Sequence, residues 1–290
     1  MDNLLRLPDY LKRSVAPTDN KENKCVKIIL SKYNLNTVCD NARCPNKSIC
    51  YGSMTATFLI MGKNCTRNCG FCNIENKKPL PLDLNEPKNV ADAVSELKLE
   101  YVVITSVTRD DIKDGGAEHF KKTIEEIRKK NKSIKIEILT PDFLGKKEAL
   151  DIIIKAKPDV FNHNMETVSS LYPIVRKEAR YNRSLEVLSY VKENSEGIFI
   201  KTGIMTGLGE TKDEIVETMK DILKAKVDIL TIGQYIRPSK KHIEVKRYLK
   251  EEEFIELKEI ALNLGFKACV SAPLARSSYM AHETYGRLIR

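Results

Sequence analysis

Nowhere in the sequence do apolar residues run for anything close to the roughly 20 positions a membrane-spanning helix needs. The start also lacks the apolar core of a signal peptide, because Asp2, Arg6, Asp9, Lys12 and Arg13 interrupt it. Histidine is scarce, at four in 290 residues, which argues against a zinc hydrolase built on imidazole ligands. Internal repeats and low-complexity tracts are missing, so solenoid and linker architectures are set aside. Cysteine, at eight residues, is too sparse for a dense disulfide scaffold. Its placement is uneven, however: six of the eight fall between 39 and 72, in two triplets. Clustered groups of three argue for metal rather than pairwise bridges. These absences together predict a protein of a reducing compartment, the cytosol, with no membrane span.

A chain of this length buries a large core, and α/β barrels of similar size often form one domain. The net charge of +9 suits an acidic partner, either nucleic acid or protein, without choosing between them.

Residues 1–20, marked by Pro8 and Pro17, read as a surface wrap. A helix is expected over 21–33, where Val26, Ile29, Leu30 and Tyr33 recur on one face, with Cys25 as packing. Six strand-like runs follow: Ala56–Met61, Tyr101–Val107, Ile134–Leu139, Val160–His163, Ile198–Ile204 and Ile229–Tyr235. They are nearly continuous apolar or β-branched stretches, as in parallel strands buried on both faces. Helical patterns separate them, one marked by Phe120, Ile124 and Ile127. Another opens on the capping box Thr211–Glu214, and a last one ends at Gly265. Lys77–Pro87 is a proline-rich loop. The alternation predicts an α/β fold, a partial (β/α)6 TIM-type barrel with N-terminal and C-terminal extensions. A doubly wound open sheet is the competing architecture. The expected division is 1–54 as an extension, 55–265 as the barrel and 266–290 as a C-terminal segment.

Cys65, Cys69 and Cys72 fall within eight residues, directly after the first apolar strand. Soft thiolates at such spacing suit an iron–sulfur cluster or zinc. A loop after a strand is where parallel α/β sheets place their sites. The spacing Cys-x3-Cys-x2-Cys resembles the signature of the radical S-adenosylmethionine enzymes. There, three thiolates hold a four-iron cluster whose open iron chelates the cofactor, and one electron releases a 5′-deoxyadenosyl radical. A zinc knuckle, needing a fourth ligand, is the plainer alternative.

The second triplet, Cys39, Cys44 and Cys50, has the spacing Cys-x4-Cys-x5-Cys, and Arg276-Ser277-Ser278-Tyr279 stands near the end. With Asp114-Gly115-Gly116 and Gly207-Leu208-Gly209-Glu210 between them, these motifs resemble the lipoyl synthase family nearly end to end. The resemblance implies a second 4Fe-4S cluster on Cys39, Cys44 and Cys50, its fourth iron held by a serine of the last motif. Family pattern favours Ser278, while the sequence alone leaves Ser277 open. A serine oxygen is a hard ligand on that iron and should release more easily than thiolate. The implied reaction puts two sulfurs at C6 and C8 of an octanoyl chain on a lysine of a lipoyl carrier protein. Those methylenes offer no acidic proton and no leaving group, so acid–base and nucleophilic catalysis have nothing to act on. Radical removal of hydrogen with S-adenosylmethionine, and sulfide drawn from the second cluster, answers that difficulty. The implied partners are octanoylated carrier domains: acyltransferase subunits of 2-oxoacid dehydrogenases and the glycine cleavage H protein. A ferredoxin or flavodoxin as electron donor and an iron–sulfur carrier protein are implied as well.

The resemblance further suggests cofactor contacts. These are the backbone of Gly115 and Gly116, the polar strand end with Asn164 and Glu166, and the Gly203–Glu210 stretch with Glu210. His163 reads as a core histidine, Glu118 is displaced by one from the family's position, and Arg237 suits either a carboxylate or the surface. Two other functions fit parts of the pattern: a sulfur-inserting enzyme acting on tRNA, and a two-cluster electron carrier or structural zinc protein. No appended RNA-binding domain is evident, which makes nucleic acid the weaker partner.

Overall fold

The computed structural model describes residues 6–12 and 20–289. Pro8 precedes a single 3-10 turn, Asp9–Leu11, whereas Asp2, Arg13 and Pro17 lie outside the described residues. Among the described residues no helix is long and apolar enough to cross a membrane.

Eight strands form one sheet: β1 (Asn36–Thr37), β2 (Thr57–Ile60), β3 (Tyr101–Ser106), β4 (Lys135–Leu139), β5 (Val160–Asn162), β6 (Phe199–Thr206), β7 (Ile229–Gln234) and β8 (Ala268–Ala272). β1 runs antiparallel to β2, pairing Asn36 with Leu59, and every other neighbouring pair is parallel. Each strand lies beside the next in sequence. A doubly wound sheet would reverse its direction midway; this one advances throughout, which is barrel winding. All six expected strands are present, flanked by helices as parallel pairing requires. The partial barrel carries one further parallel strand, β8, and among the described residues its order ends at β1 and β8.

Local chemistry sets the boundaries. The Thr211–Glu214 capping box closes reciprocally, with Thr211 N–H donating to Glu214 at 2.8 Å. Gly265, at φ +118°, takes the left-handed conformation that ends helix Glu251–Leu264. The first helix, Lys21–Lys32, buries Val26, Ile29 and Leu30 as its periodicity requires, and Cys25 packs beside them.

The lumen has a floor. Helix Ala281–Leu288 lays Ala281 and Tyr285 against Tyr101, Val160 and Ile229, the first residues of β3, β5 and β7. Nearby, Glu137 on β4 and Lys201 on β6 pair at 2.9 Å, both fully enclosed. Tyr101 and Asn162 donate to the same Glu137 carboxylate, so the buried charges are hydrogen-bonded rather than bare. The opposite, carboxyl end of the sheet stays open and carries the site.

Candidate active site

Both cysteine triplets line one cavity of about 870 Å³ at the carboxyl end of the strands. It is bounded by the thiol loop after β2, the N-terminal segment, the ends of β5 and β6, and the stretch Arg276–Tyr279. All six thiols are free.

The loop after β2 begins where Met61 and Gly62 take positive φ and turn the chain off the sheet. Asn64–Cys65 then pairs with Glu75–Asn76, closing a ring of chain that holds Cys69 and Cys72. Arg67, inside the motif, is almost fully buried and anchors it. Its guanidinium grips Asp110 bidentately at 2.7 and 2.9 Å and reaches Asp142 at 2.6 Å. Arg183 holds the other Asp142 oxygen at 2.7 Å. Burial would raise the Asp142 carboxyl, but the Arg67 guanidinium overrides it and holds that group well below the ordinary carboxylate range.

Upstream, Thr37 caps the short helix Val38–Asn41 that carries Cys39, and Cys50 sits in helix Lys47–Gly52. Asp40 accepts from Thr37 at 2.8 Å and from Tyr51 at 2.5 Å, tying the two helices. The two triplet segments meet directly: Asn73, next to Cys72, donates to the Asn41 carbonyl at 2.8 Å. Asn46 Nδ2 donates to the Leu274 carbonyl at 2.8 Å, bringing the C-terminal segment onto the N-terminal one.

The donor set suits iron–sulfur clusters. Cys65 Sγ accepts backbone N–H groups from Arg67 at 3.4 Å and Thr108 at 3.3 Å, the kind of donation that stabilises a bound thiolate. Cys39 and Cys72 receive similar help from Thr57 and Ile74. Burial nevertheless pushes the Cys39 and Cys72 thiols up to about 12, and Cys69 to about 11. A bound metal would take them as thiolates. Among the described residues no group of three His, Cys, Asp or Glu is disposed to hold a single ion.

The end of β5 presents Asn164 and Glu166, linked by a 3.0 Å hydrogen bond. Burial raises the Glu166 carboxyl above its ordinary value, with Arg176 opposing it. Arg176, which sequence reasoning missed, donates to the Asn164 carbonyl at 2.8 Å, and its buried Nε has no partner in the structure. Ser277 donates to Asn164 at 2.8 Å. Ser278 lines the same cavity, and no hydrogen bond joins its hydroxyl to the described residues.

Of the remaining candidates, His163 and Arg237 also line the cavity, whereas Glu210, Gly115, Gly116 and Glu118 do not. Glu210 folds back, accepting from the N–H of Gly207 at 2.5 Å and Leu208 at 2.9 Å, and does not line the cavity. Gly115 and Gly116 are buried against Phe143 and Met61 at the start of helix Ala117–Lys130, also away from it. Glu118 pairs with Lys121 at 3.5 Å. His163 uses both ring nitrogens, on Thr140 at 2.9 Å and Ser184 at 3.0 Å. Arg237 spends its guanidinium on the carbonyls of His242 and Lys240, at 2.8 and 2.6 Å.

A model of the radical SAM superfamily matches residues 59–222, more than half the chain. A lipoyl synthase of Alkaliphilus metalliredigens (strain QYMF) is 49% identical over 281 residues, covering 97% of this chain and 96% of its own. One from Caldicellulosiruptor bescii is 51% identical over 280 residues, with the same coverage of 97% and 96%. The chain belongs to the lipoyl synthase family. Lipoyl synthases are sulfurtransferases of the radical S-adenosylmethionine class, so the enzyme class and the cofactors, 4Fe-4S clusters and S-adenosylmethionine, follow from membership. The fold agrees with solved structures. Streptococcus suis SuiB bound to S-adenosylmethionine superposes with a TM-score of 0.58 at 16% identity, covering 78% of this chain and 54% of that one. Methylornithine synthase (PylB) gives 0.53 at 14% identity, covering 90% and 81%. At such identities the likeness speaks for the fold alone, and the lipoyl synthase assignment rests on the close relatives.

Proposed function

We propose that this cavity converts an octanoyl group, amide-linked to a lysine of a lipoyl carrier protein, into a lipoyl group by inserting sulfur at C6 and C8. The observation that carries the reading is that Cys65, Cys69 and Cys72 share one cavity with Cys39, Cys44, Cys50 and Ser278. The first triplet holds the radical cluster; the second, with Ser278, holds the auxiliary one. When bound, the clusters and S-adenosylmethionine supply a carbon radical that removes hydrogen and a sulfide that replaces it.

The chain's own residues supply position and dryness. Glu166 and Asn164 face the cavity as acceptors for the cofactor's hydroxyls or amine. Arg176, always charged and lining the cavity, receives its carboxylate. Ser277, held on Asn164, aligns the next hydroxyl with the auxiliary triplet. Leu59, Val103, Val107 and Ile204 give the cavity an apolar wall suited to an alkyl chain and poor for water. Glu210 and the Gly115–Gly116 turn act as supports beneath this wall. In this reading 55–265 carries the radical centre, 1–54 the auxiliary cysteines, and 266–290, which also supplies β8 to the barrel, the serine.

The carriers are acyltransferase subunits of 2-oxoacid dehydrogenases and the glycine cleavage H protein. The reductant is a ferredoxin or flavodoxin, and an iron–sulfur carrier protein rebuilds the spent cluster. All of these meet the enzyme in the cytoplasm. The test is anaerobic turnover of the reconstituted chain with an octanoyl-lysine peptide, read by mass spectrometry. Peptide carrying two added sulfurs supports the reading. Cofactor cleavage with both clusters intact and no sulfur on the peptide overturns it.

A further inference from the structure

After β7 the chain runs as an irregular strap, residues 236–250, over the mouth of the barrel. It is stitched down along its length. Lys246 N–H donates to Gly207 O at 2.8 Å, and Leu249 N–H to the Gln234 side chain at 3.0 Å. Tyr235 hydroxyl donates to Ile243 O at 2.8 Å. The other end meets the thiol loop. Ile243 N–H donates to Gly70 O at 3.0 Å, and a methyl group added at Gly70 would stand 2.5 Å from Ile243 Cδ1. Glycine there leaves room for the Ile243 side chain over the thiol loop. Next to it, His242 Nε2 lies 3.0 Å from the main-chain oxygen of Cys72, and Nδ1 lies 2.9 Å from Ser239 Oγ. A carbonyl oxygen only accepts, so Nε2 bears the proton and Nδ1 accepts from the Ser239 hydroxyl. Arg237 in turn donates to the His242 carbonyl at 2.8 Å, fixing the backbone that carries the ring.

We propose that His242 is a positioning residue of the radical centre, a latch through which the strap holds Cys72 in place. The inference rests on Cys65, Cys69 and Cys72 being the ligands of that centre. The strap bonds both to the thiol loop and to Gly207 in the turn after β6, so it ties two sides of the cavity together. A side-chain donor on the carbonyl of a ligand residue fixes the peptide plane that follows it. Here that plane leads to Ile74, whose N–H supports the Cys72 sulfur. Losing the latch frees the Cys72 peptide directly and reaches the auxiliary segment only through the Asn73–Asn41 bond.

The test compares the full-length, two-cluster protein with His242→Leu, which has no donor, and His242→Gln, whose amide can still donate. Each is challenged anaerobically with an iron chelator and an alkylating reagent, and every cysteine is followed by mass spectrometry. In His242→Leu, alkylation of Cys65, Cys69 and Cys72 should run about fivefold faster, the value of one ordinary hydrogen bond. Cys39, Cys44 and Cys50, linked to this loop only through Asn73, should change far less, and His242→Gln should return towards the parent. Ser239→Ala, which only loosens the ring, should give a smaller shift with the same pattern. Unchanged rates in His242→Leu, or equal acceleration of all six thiols, overturn the latch. Immediate alkylation of Cys65, Cys69 and Cys72 in the unsubstituted, loaded protein would instead overturn the ligand assignment, so the two failures are distinct.

Discussion

The Ser277 hydroxyl donates a 2.8 Å hydrogen bond to Asn164 Oδ1, 113 residues earlier in the chain. That bond seats the C-terminal segment on the cavity wall just after β5 and occupies one of the two neighbouring serines. The other, Ser278, is left facing the cavity. The pair should therefore separate in mutagenesis. If the proposed ligand role holds, Ser278→Ala should cut sulfur insertion about 100-fold while 5′-deoxyadenosine still forms, because the lost group would serve the auxiliary cluster alone. Ser277→Ala should cost about 10-fold or less and raise the KM for S-adenosylmethionine, through a loosened Asn164. Parallel assays of both products decide it; equal losses for the two variants would reverse the assignment.

Arg67 sits between two candidate ligands yet faces away from them, into Asp110 and Asp142. Breaking a buried, hydrogen-bonded charge pair is far costlier than never having made it, about 3–5 kcal/mol. Arg67→Met should lower the thermal midpoint and deplete iron at the radical centre first. Arg67→Lys should recover little, since a lysine cannot make the bidentate grip on Asp110. Calorimetry with site-resolved iron spectroscopy checks both. Full rescue by lysine would mean that charge alone, not the fork geometry, anchors the loop.

The sequence displayed what depends on local pattern. β2 through β7 are continuous apolar or β-branched runs, and buried parallel strands must be written that way. The thiol triplets stood out because their spacing is local chemistry. β8 escaped notice because Ala268–Ala272 has small residues and a half-exposed face. The partners of Arg67 are 43 and 75 residues away, so nothing near the motif announced them. Glu210 and Gly115–Gly116 have site-like composition, but their local turns consume it, the carboxylate on its own backbone and the glycines on close packing. Arg176 offered no periodic signal, and only the folded wall shows its unspent N–H.

Asn46 joins the ends of the chain. Its Nδ2 holds the Leu274 carbonyl 228 residues away, while its Oδ1 is buried without a partner in the structure. Asn46→Ala should release the segment bearing Ser278 and strand the Leu274 oxygen, at about 1–3 kcal/mol. The auxiliary cluster should then lose iron faster than the radical cluster on chelator challenge. Asn46→Asp, isosteric but with no donor, should behave like alanine rather than like the parent. Similar lability at both clusters would show that Asn46 serves the fold generally and not this junction.

His163 supplies the pH dependence. Burial, with Arg176 adding to it, lowers its pKa from 6.5 to about 4 in the folded chain. The ring is neutral there, with Nδ1–H on the Thr140 carbonyl and Nε2 accepting from Ser184. A depressed pKa means that the unfolded chain takes up the proton first. The contribution to stability is therefore complete above about pH 6.5 and is lost as pH falls through about 4. Between roughly pH 7.5 and 5.5 the parent should lose about 1.4 kcal/mol through this residue. His163→Phe starts lower, because Ser184 and Thr140 lose a partner, but should lack that slope. Anaerobic denaturant unfolding at the two pH values measures the difference. Identical slopes in parent and variant would mean that the imidazole titrates normally in the folded protein, and that its two hydrogen bonds do not hold it neutral.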